Sequence, residues 1–216
     1  LQAAGVKFAI LGEEEPCCGD TARRAGNEYL FQTMAQANIE LFDRHGVKTI
    51  VATCPHGYHT FKKEYPAFGG NYKVYHHTEF IWKLLEEGSL RIDPGKIDKS
   101  LTYHDSCFLG RYNGLYEPGR ATLRKLGGRL IEMDKNRRSS FCCGAGGARM
   151  WIEEEKDQRV NIARTKQALE TGAEWVVTAC PYCLTMIQDG LDELAPDRSC
   201  HDLAELVEAA LLDRQD

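Results

Sequence analysis

One cysteine order occurs twice in this chain, and that repetition limits what it can fold into more than any other feature. Cys17-Cys18-Gly19 leads through an apolar-periodic stretch to Val47–Thr53, then to Cys54-Pro55-His56-Gly57. Cys142-Cys143-Gly144 leads through a second such stretch to Trp175–Ala179, then to Cys180-Pro181-Tyr182-Cys183. Cys18 precedes Cys54 by 36 positions, and Cys143 precedes Cys180 by 37. Matching order at matching spacing marks an internal repeat. The second copy has a further cysteine, Cys107, placed 35 positions ahead of its pair; the same offset in the first copy falls before Leu1. There is no initiator Met, and Leu1–Gly5 reads as the tail of a helix entering a strand at Val6–Leu11. We therefore expect a piece of a longer polypeptide with more structure upstream.

Nine cysteines in a short secreted chain would suggest a disulfide scaffold. Here the count is odd, the chain has 216 residues, and no signal-peptide pattern is visible. A reducing compartment fits better, and there grouped cysteines bind metal or do redox chemistry. The net charge of −5, with no basic cluster, argues against nucleic acid as a partner. Apolar runs such as Val47–Ala52 and Trp175–Ala179 fall well short of the roughly 18 residues a membrane-spanning helix needs.

The periodicity predicts helices over Thr21–His45, Thr78–Glu87, Glu153–Thr171, Pro181–Leu191 and Asp202–Leu212, and one starting at Pro55. Strands are predicted at Val47–Thr53, Tyr72–His76, Leu101–His104, Leu130–Met133 and Trp175–Ala179. Alternation of this kind implies an α/β fold with parallel sheets covered on both faces. Two lobes related by the repeat, residues 1–90 and 91–216, would join around Glu87–Lys99, the first lobe being degenerate and truncated at its start.

Cys54, Cys107 and Cys180 each fall just past a predicted strand, the edge where parallel sheets gather ligands. Cys180 and Cys183 flank a helix start, where the dipole favours thiolates. Gly144-Ala145-Gly146-Gly147 would let backbone approach a bulky inorganic group; a phosphate cradle is the alternative, but neither nucleotide-binding glycine pattern is present. Thiolates without histidine favour iron–sulfur or zinc. Zinc takes four ligands, whereas Cys107, Cys142, Cys143, Cys180 and Cys183 make five candidates. Both metals remain open on pattern alone. His76, His77 and His104 stand at strand ends on the same edge, either as structural histidines or as groups tuning a metal site. Arg111, Asn113 and Arg149 flank the motif, Cys200 has no place in either copy, and Glu153-Glu154-Glu155 reads as a solvated first helical turn.

At Cys107, Cys142-Cys143-Gly144 and Cys180-Pro-Tyr-Cys183 the chain resembles the cysteine-rich CCG domain family, to which a component of heterodisulfide reductase belongs. Tyr103-His-Asp-Ser-Cys-Phe-Leu-Gly-Arg-Tyr-Asn-Gly114, Phe141-Cys-Cys-Gly-Ala-Gly-Gly-Ala-Arg-Met-Trp151 and Cys54-Pro-His resemble most the electron-transfer flavoprotein:menaquinone oxidoreductase branch. The resemblance implies two Rossmann-like lobes related by a pseudo-twofold, and a noncubane [4Fe-4S] cluster held by Cys107, Cys142, Cys143, Cys180 and Cys183. It also implies upstream ferredoxin-type clusters and membrane helices, a site at the cytoplasmic side of the membrane, and an oxidoreductase that passes electrons from an electron-transfer flavoprotein towards quinone. Gly57 stands where the family pattern has a cysteine, which puts a second cluster on Cys17, Cys18 and Cys54 in doubt. Disulfide chemistry like that of heterodisulfide reductase, an iron–sulfur subunit of a lactate or glycolate oxidase, and a zinc-stapled docking domain are the alternatives.

Overall fold

A computed structural model describes residues 1–155 and 158–212. Two parallel sheets organise it. The smaller pairs β1 (Thr49–Ala52) with β2 (Lys73–His76), in register from Thr49 opposite Lys73 to Ala52 opposite His76. The larger holds β3 (Ser100–Tyr103), β4 (Arg129–Leu130), β5 (Trp175–Thr178) and β6 (Ser199–Asp202) in the order β4-β3-β5-β6, every pair parallel. Parallel neighbours need a crossover, and helices supply it. These are α1 (Asp20–Arg24), α2 (Glu28–Arg44), α3 (Pro55–His59), α4 (His77–Glu86), α5 (Glu117–Lys125), α6 (Val160–Leu169), α7 (Pro181–Leu194) and α8 (Leu203–Ala209). The α/β class with parallel sheets is as the sequence indicates, with two strands in one sheet and four in the other.

Central position in the larger sheet explains why β3 is buried along its whole length and why β5 is nearly so. Strands covered on both faces read as runs rather than as alternation. Leu101, Leu123, Leu126, Val177, Ala179 and Leu203 form the core there, and Leu84 and Leu85 of α4 pack into it. Against the smaller sheet, α2 presents Phe31, Ala35, Ile39 and Phe42 on one face, with Tyr65 completing that core.

Several elements differ from expectation. The single helix predicted over Thr21–His45 is two, because Gly26 takes a left-handed φ of 88° and Asn27 starts a new helix by accepting the Leu30 N–H at 3.0 Å. Leu1–Gly5 makes only a short 3-10 turn at Gln2–Ala4, and Val6–Leu11 is coil without a ladder partner. The helix predicted from Glu153 begins at Val160; positions 156 and 157 lie outside the described residues. Glu153–Glu155 is therefore not its first turn. Instead the Glu154 carboxylate reaches forward to accept the Val160 N–H at 3.2 Å. Two elements, α5 and β6, have no counterpart in the sequence-based reading: α5 lies in a polar stretch, and β6 is the polar Ser-Cys-His-Asp, ending at the cap of α8.

A buried ionic node fixes the edge of the larger sheet. Arg120, fully buried on α5, grips Asp105 with two hydrogen bonds of 2.6 and 2.7 Å and Glu132 with two of 2.7 and 2.8 Å. Asp105 also accepts the Arg137 N–H at 2.6 Å, and its carbonyl accepts the Ser140 hydroxyl at 3.0 Å. Asp105 stands two residues before Cys107, and Ser140 two before Cys142. Removing one partner of a buried ion pair strands the other charge. Arg120→Met is expected to lower stability by about 3–5 kcal/mol, read as a shift of the urea unfolding midpoint. Adding Asp105→Asn to that variant should recover part of the loss, since the stranded carboxylate is then gone.

Candidate functional site

Each cysteine of the second copy is delivered by a different local device. Cys107 follows β3 in the loop anchored by Asp105. Cys180 follows β5 with extended backbone as the N-cap of α7, Pro181 opens the first turn, and Cys183 sits within it. Cys142 and Cys143 lie on a loop turned by Gly144, whose φ of 93° is left-handed. A Cβ there would stand 3.0 Å from Val160 Cβ, so the loop lies tight on the start of α6.

The structure brings these five together. The Cys183 and Cys143 sulfurs are 3.3 Å apart, and Cys107, Cys142, Cys143, Cys183 and Cys180 follow one another as a chain of interacting thiols. All nine cysteines of the chain are free thiols. Cys143, Cys180 and Cys183 are buried, and Cys107 and Cys142 partly so. Cys54, from the other half of the chain, interacts with Cys180.

So many thiols in one place must share protons. Hydrogen bonds from Cys107 and then Cys143, with the Gly144 N–H at 3.3 Å, hold the Cys142 thiol down to about 2. Giving its proton to Cys142 pushes Cys143 up to about 12. Donation to Cys143 and Cys180, and then burial, pushes Cys183 upward as well. Burial opposes ionisation of Cys180, but hydrogen bonds from Cys183 and Cys54 and from backbone bring it well below an ordinary thiol. The set favours the thiolate at Cys142 and Cys180 and the thiol at Cys107, Cys143 and Cys183. Only a multiply charged cation group would let all five ionise together. Five sulfurs exceed what one zinc takes, and adjacent Cys142 and Cys143 suit separate metal atoms of an extended group better than one tetrahedral ion.

His104 also stands at this site: one of its ring nitrogens lies within 4.8 Å of both the Cys143 and Cys183 sulfurs. His76 and His77 do other work. His76 caps α4, with Nδ1 2.9 Å from the Thr78 hydroxyl, and burial drives its pKa well down. His77 Nε2 lies 3.3 Å from the Asp202 carboxylate. The Arg111 guanidinium donates to the Ser140 carbonyl, and Asn113 donates to the Phe108 carbonyl at 2.6 Å, so both brace the loops that carry cysteines. Arg149 is exposed and pairs with Glu154. Cys200 is a core thiol in β6, packed with Met133, Val176 and Ile187, and burial pushes its pKa up.

In the first copy, a hydrogen bond from Cys18 lowers Cys17 to about 6. A Cβ on Gly57 would come within 3.9 Å of the Cys18 sulfur, so this is the position from which a further thiol would have faced the pair. Sequence reasoning missed a buried contact between the two copies. The His56 ring, whose Nδ1 lies 2.7 Å from the Asp20 carboxylate of its own copy, stacks on Phe108 of the other at 4.0 Å. It also missed Arg164. Its place inside the amphipathic helix α6 gives no hint of burial, because an arginine in a polar stretch is ordinarily solvated.

The model of the cysteine-rich domain, CCG, matches residues 1–62 and 101–188. The chain belongs to the CCG cysteine-rich domain family. Among the curated relatives of this CCG chain, EtfAB:quinone oxidoreductase of Syntrophomonas wolfei is 51% identical over 98% of the chain and 31% of the relative. The probable iron-sulfur-binding oxidoreductase FadF of Bacillus subtilis is 47% identical over 98% of the chain and 30% of its own length. A component of the dihydromethanophenazine:CoB--CoM heterodisulfide reductase of Methanosarcina barkeri is 34% identical over 98% of the chain and 53% of the relative. The chain thus spans from 30% to 53% of the length of these relatives.

Replacing Gly144 tests the loop that carries the adjacent pair. A side chain there combines a left-handed backbone with the contact to Val160. Gly144→Ala should cost about 1–3 kcal/mol in thermal unfolding of the metal-free protein. It should also reduce the metal retained after desalting.

Proposed function

We propose that the chain holds one iron–sulfur cluster, a noncubane [4Fe-4S], through Cys107, Cys142, Cys143, Cys180 and Cys183. In this role it serves as an electron-transfer module of an oxidoreductase. The observation that carries this reading is the contiguous, largely buried set of five thiols at the C-terminal edge of the larger sheet. The names of the relatives point the same way, since they are oxidoreductases and one is described as iron-sulfur-binding. When bound, the cluster supplies one-electron oxidation and reduction. The chain's own part is to give up thiol protons, exclude water through the buried Cys143, Cys180 and Cys183, and fix the ligands by the Asp105 and Gly144 loops.

The electrons would pass from a flavoprotein donor, of the electron-transfer flavoprotein kind, towards the quinone pool. Similarity at 51% to a protein named for both supports this assignment. The remainder of the polypeptide or complex would contribute ferredoxin-type clusters and membrane helices, holding this region at the cytoplasmic side of the membrane. No helix among the described residues is long and apolar enough to cross a membrane itself. With Gly57 facing Cys18, the first copy offers three thiols where the second offers five, so the proposal assigns one cluster.

Iron, acid-labile sulfide and zinc per chain, measured on anaerobically prepared wild type and Cys143→Ser, test the reading. About four irons with matching sulfide in the wild type, lost in the variant, are expected. About eight would overturn the single-cluster assignment. Stoichiometric zinc without sulfide, surviving iron reconstitution, would remove the redox role altogether.

A further inference from the structure

Among the described residues two arginines are fully buried, and their surroundings differ in a telling way. Arg120 has two carboxylates. Arg164, on α6, has none among the described residues. Its hydrogen bonds go to four neutral acceptors: His104 Nδ1 at 3.0 Å, the Lys135 carbonyl at 2.9 Å, Gln167 Oε1 at 2.8 Å and the Ser140 hydroxyl at 3.3 Å. A buried guanidinium without a counter-charge is costly and is seldom kept without cause. The groups whose negative charge would act on it are Asp105, already held by Arg120, and the thiols of Cys183, Cys143 and Cys142 once they ionise to hold a cationic group.

The bond to His104 carries a second consequence. Arg164 Nε–H donates, so Nδ1 of His104 must accept, and the ring proton of the neutral imidazole sits on Nε2. Nε2 is buried and has no hydrogen-bond partner among the described residues. One ring nitrogen lies within 4.8 Å of the Cys143 and Cys183 sulfurs, and with Nδ1 taken by Arg164, Nε2 is the one whose hydrogen is free to serve them. A nitrogen that carries a proton offers no lone pair to a metal. His104 therefore stands beside the thiol set as an N–H donor rather than as a sixth ligand.

We propose that Arg164 is the built-in counter-charge of the cluster site and sets its reduction potential through His104, whose Nε2–H it directs at the ligand sulfurs. This rests on the cluster assignment above. Reduction adds one electron and no proton to the site, making it more negative. A fixed positive charge and a sulfur-directed N–H both stabilise that state more than the oxidised one and so raise the potential. Arg164 is thus a positioning residue that acts through another side chain. It gives the chain control over the potential without contributing a ligand.

The test is an EPR-monitored redox titration of the cluster-loaded protein for wild type, Arg164→Met, Arg164→Lys and His104→Leu, with iron and sulfide measured in each. Arg164→Met and His104→Leu should each lower the equilibrium constant for reduction about tenfold, which is ~59 mV for a one-electron couple. Arg164→Lys, which keeps the charge, should stay nearer the wild type. With ¹⁵N-histidine labelling, pulsed EPR should detect a weak histidine nitrogen coupling in the wild type that disappears in His104→Leu. Loaded Met and Leu variants titrating with the wild type would overturn the proposal. So would Lys and Met variants behaving alike, whether both shift or both lose the cluster, because packing would then be the whole role of Arg164. Absence of iron and sulfide from the wild type itself would instead remove the functional reading on which the inference stands.

Discussion

The grip of Arg120 on Asp105 does more than stabilise a sheet edge. Strand β3 ends there, helix α5 supplies the guanidinium, and the loop through Arg137 and Ser140 is tied back to the same residue. Cys107 leaves one side of this node and Cys142 leaves the other. A bidentate, charge-assisted pair fixes direction as well as distance. The two cysteines therefore meet because one buried ion pair sets the course of both loops, while Cys180 and Cys183 arrive by the separate route of β5 and the first turn of α7.

Convergence creates its own electrostatic problem. Interacting thiols cannot all ionise in a buried space, and the metal-free set resolves this by favouring the thiolate at Cys142 and Cys180 and the thiol at the other three. Such an arrangement is poised for a cationic group able to take every ligand at once. Against this background the two buried arginines divide the labour. One is neutralised by carboxylates and holds shape, and the other is held by neutral groups and leaves its charge to act on the sulfurs.

Much of this was legible beforehand. The repeat of cysteine pair, helix, strand and Cys-Pro marked the elements that carry the site, because β-branched runs and a proline after a strand leave few alternatives. The strands β1, β2, β3 and β5 and the helices α3, α4, α7 and α8 appear within a few residues of their predicted bounds. Expectations failed where local pattern is weak or misleading. Val6–Leu11 has strand-like composition but no neighbour to pair with, the break at Gly26 hides inside a continuous helical period, and β6, read Ser-Cys-His-Asp, has no β-branched or apolar run to mark it.

By itself the sequence determined the α/β class, the family and the five cysteines to consider, since these rest on residue type and spacing along the chain. Only the tertiary structure decided which groups face them. That His104 turns one nitrogen to the sulfurs while His76 caps a helix depends on neighbours far away in the chain, as does the burial of Arg164 without a carboxylate. Both are matters of desolvation and partner geometry, and these exist only once distant segments have packed together. The contact of Cys54 with Cys180 and the stacking of His56 on Phe108 have the same origin.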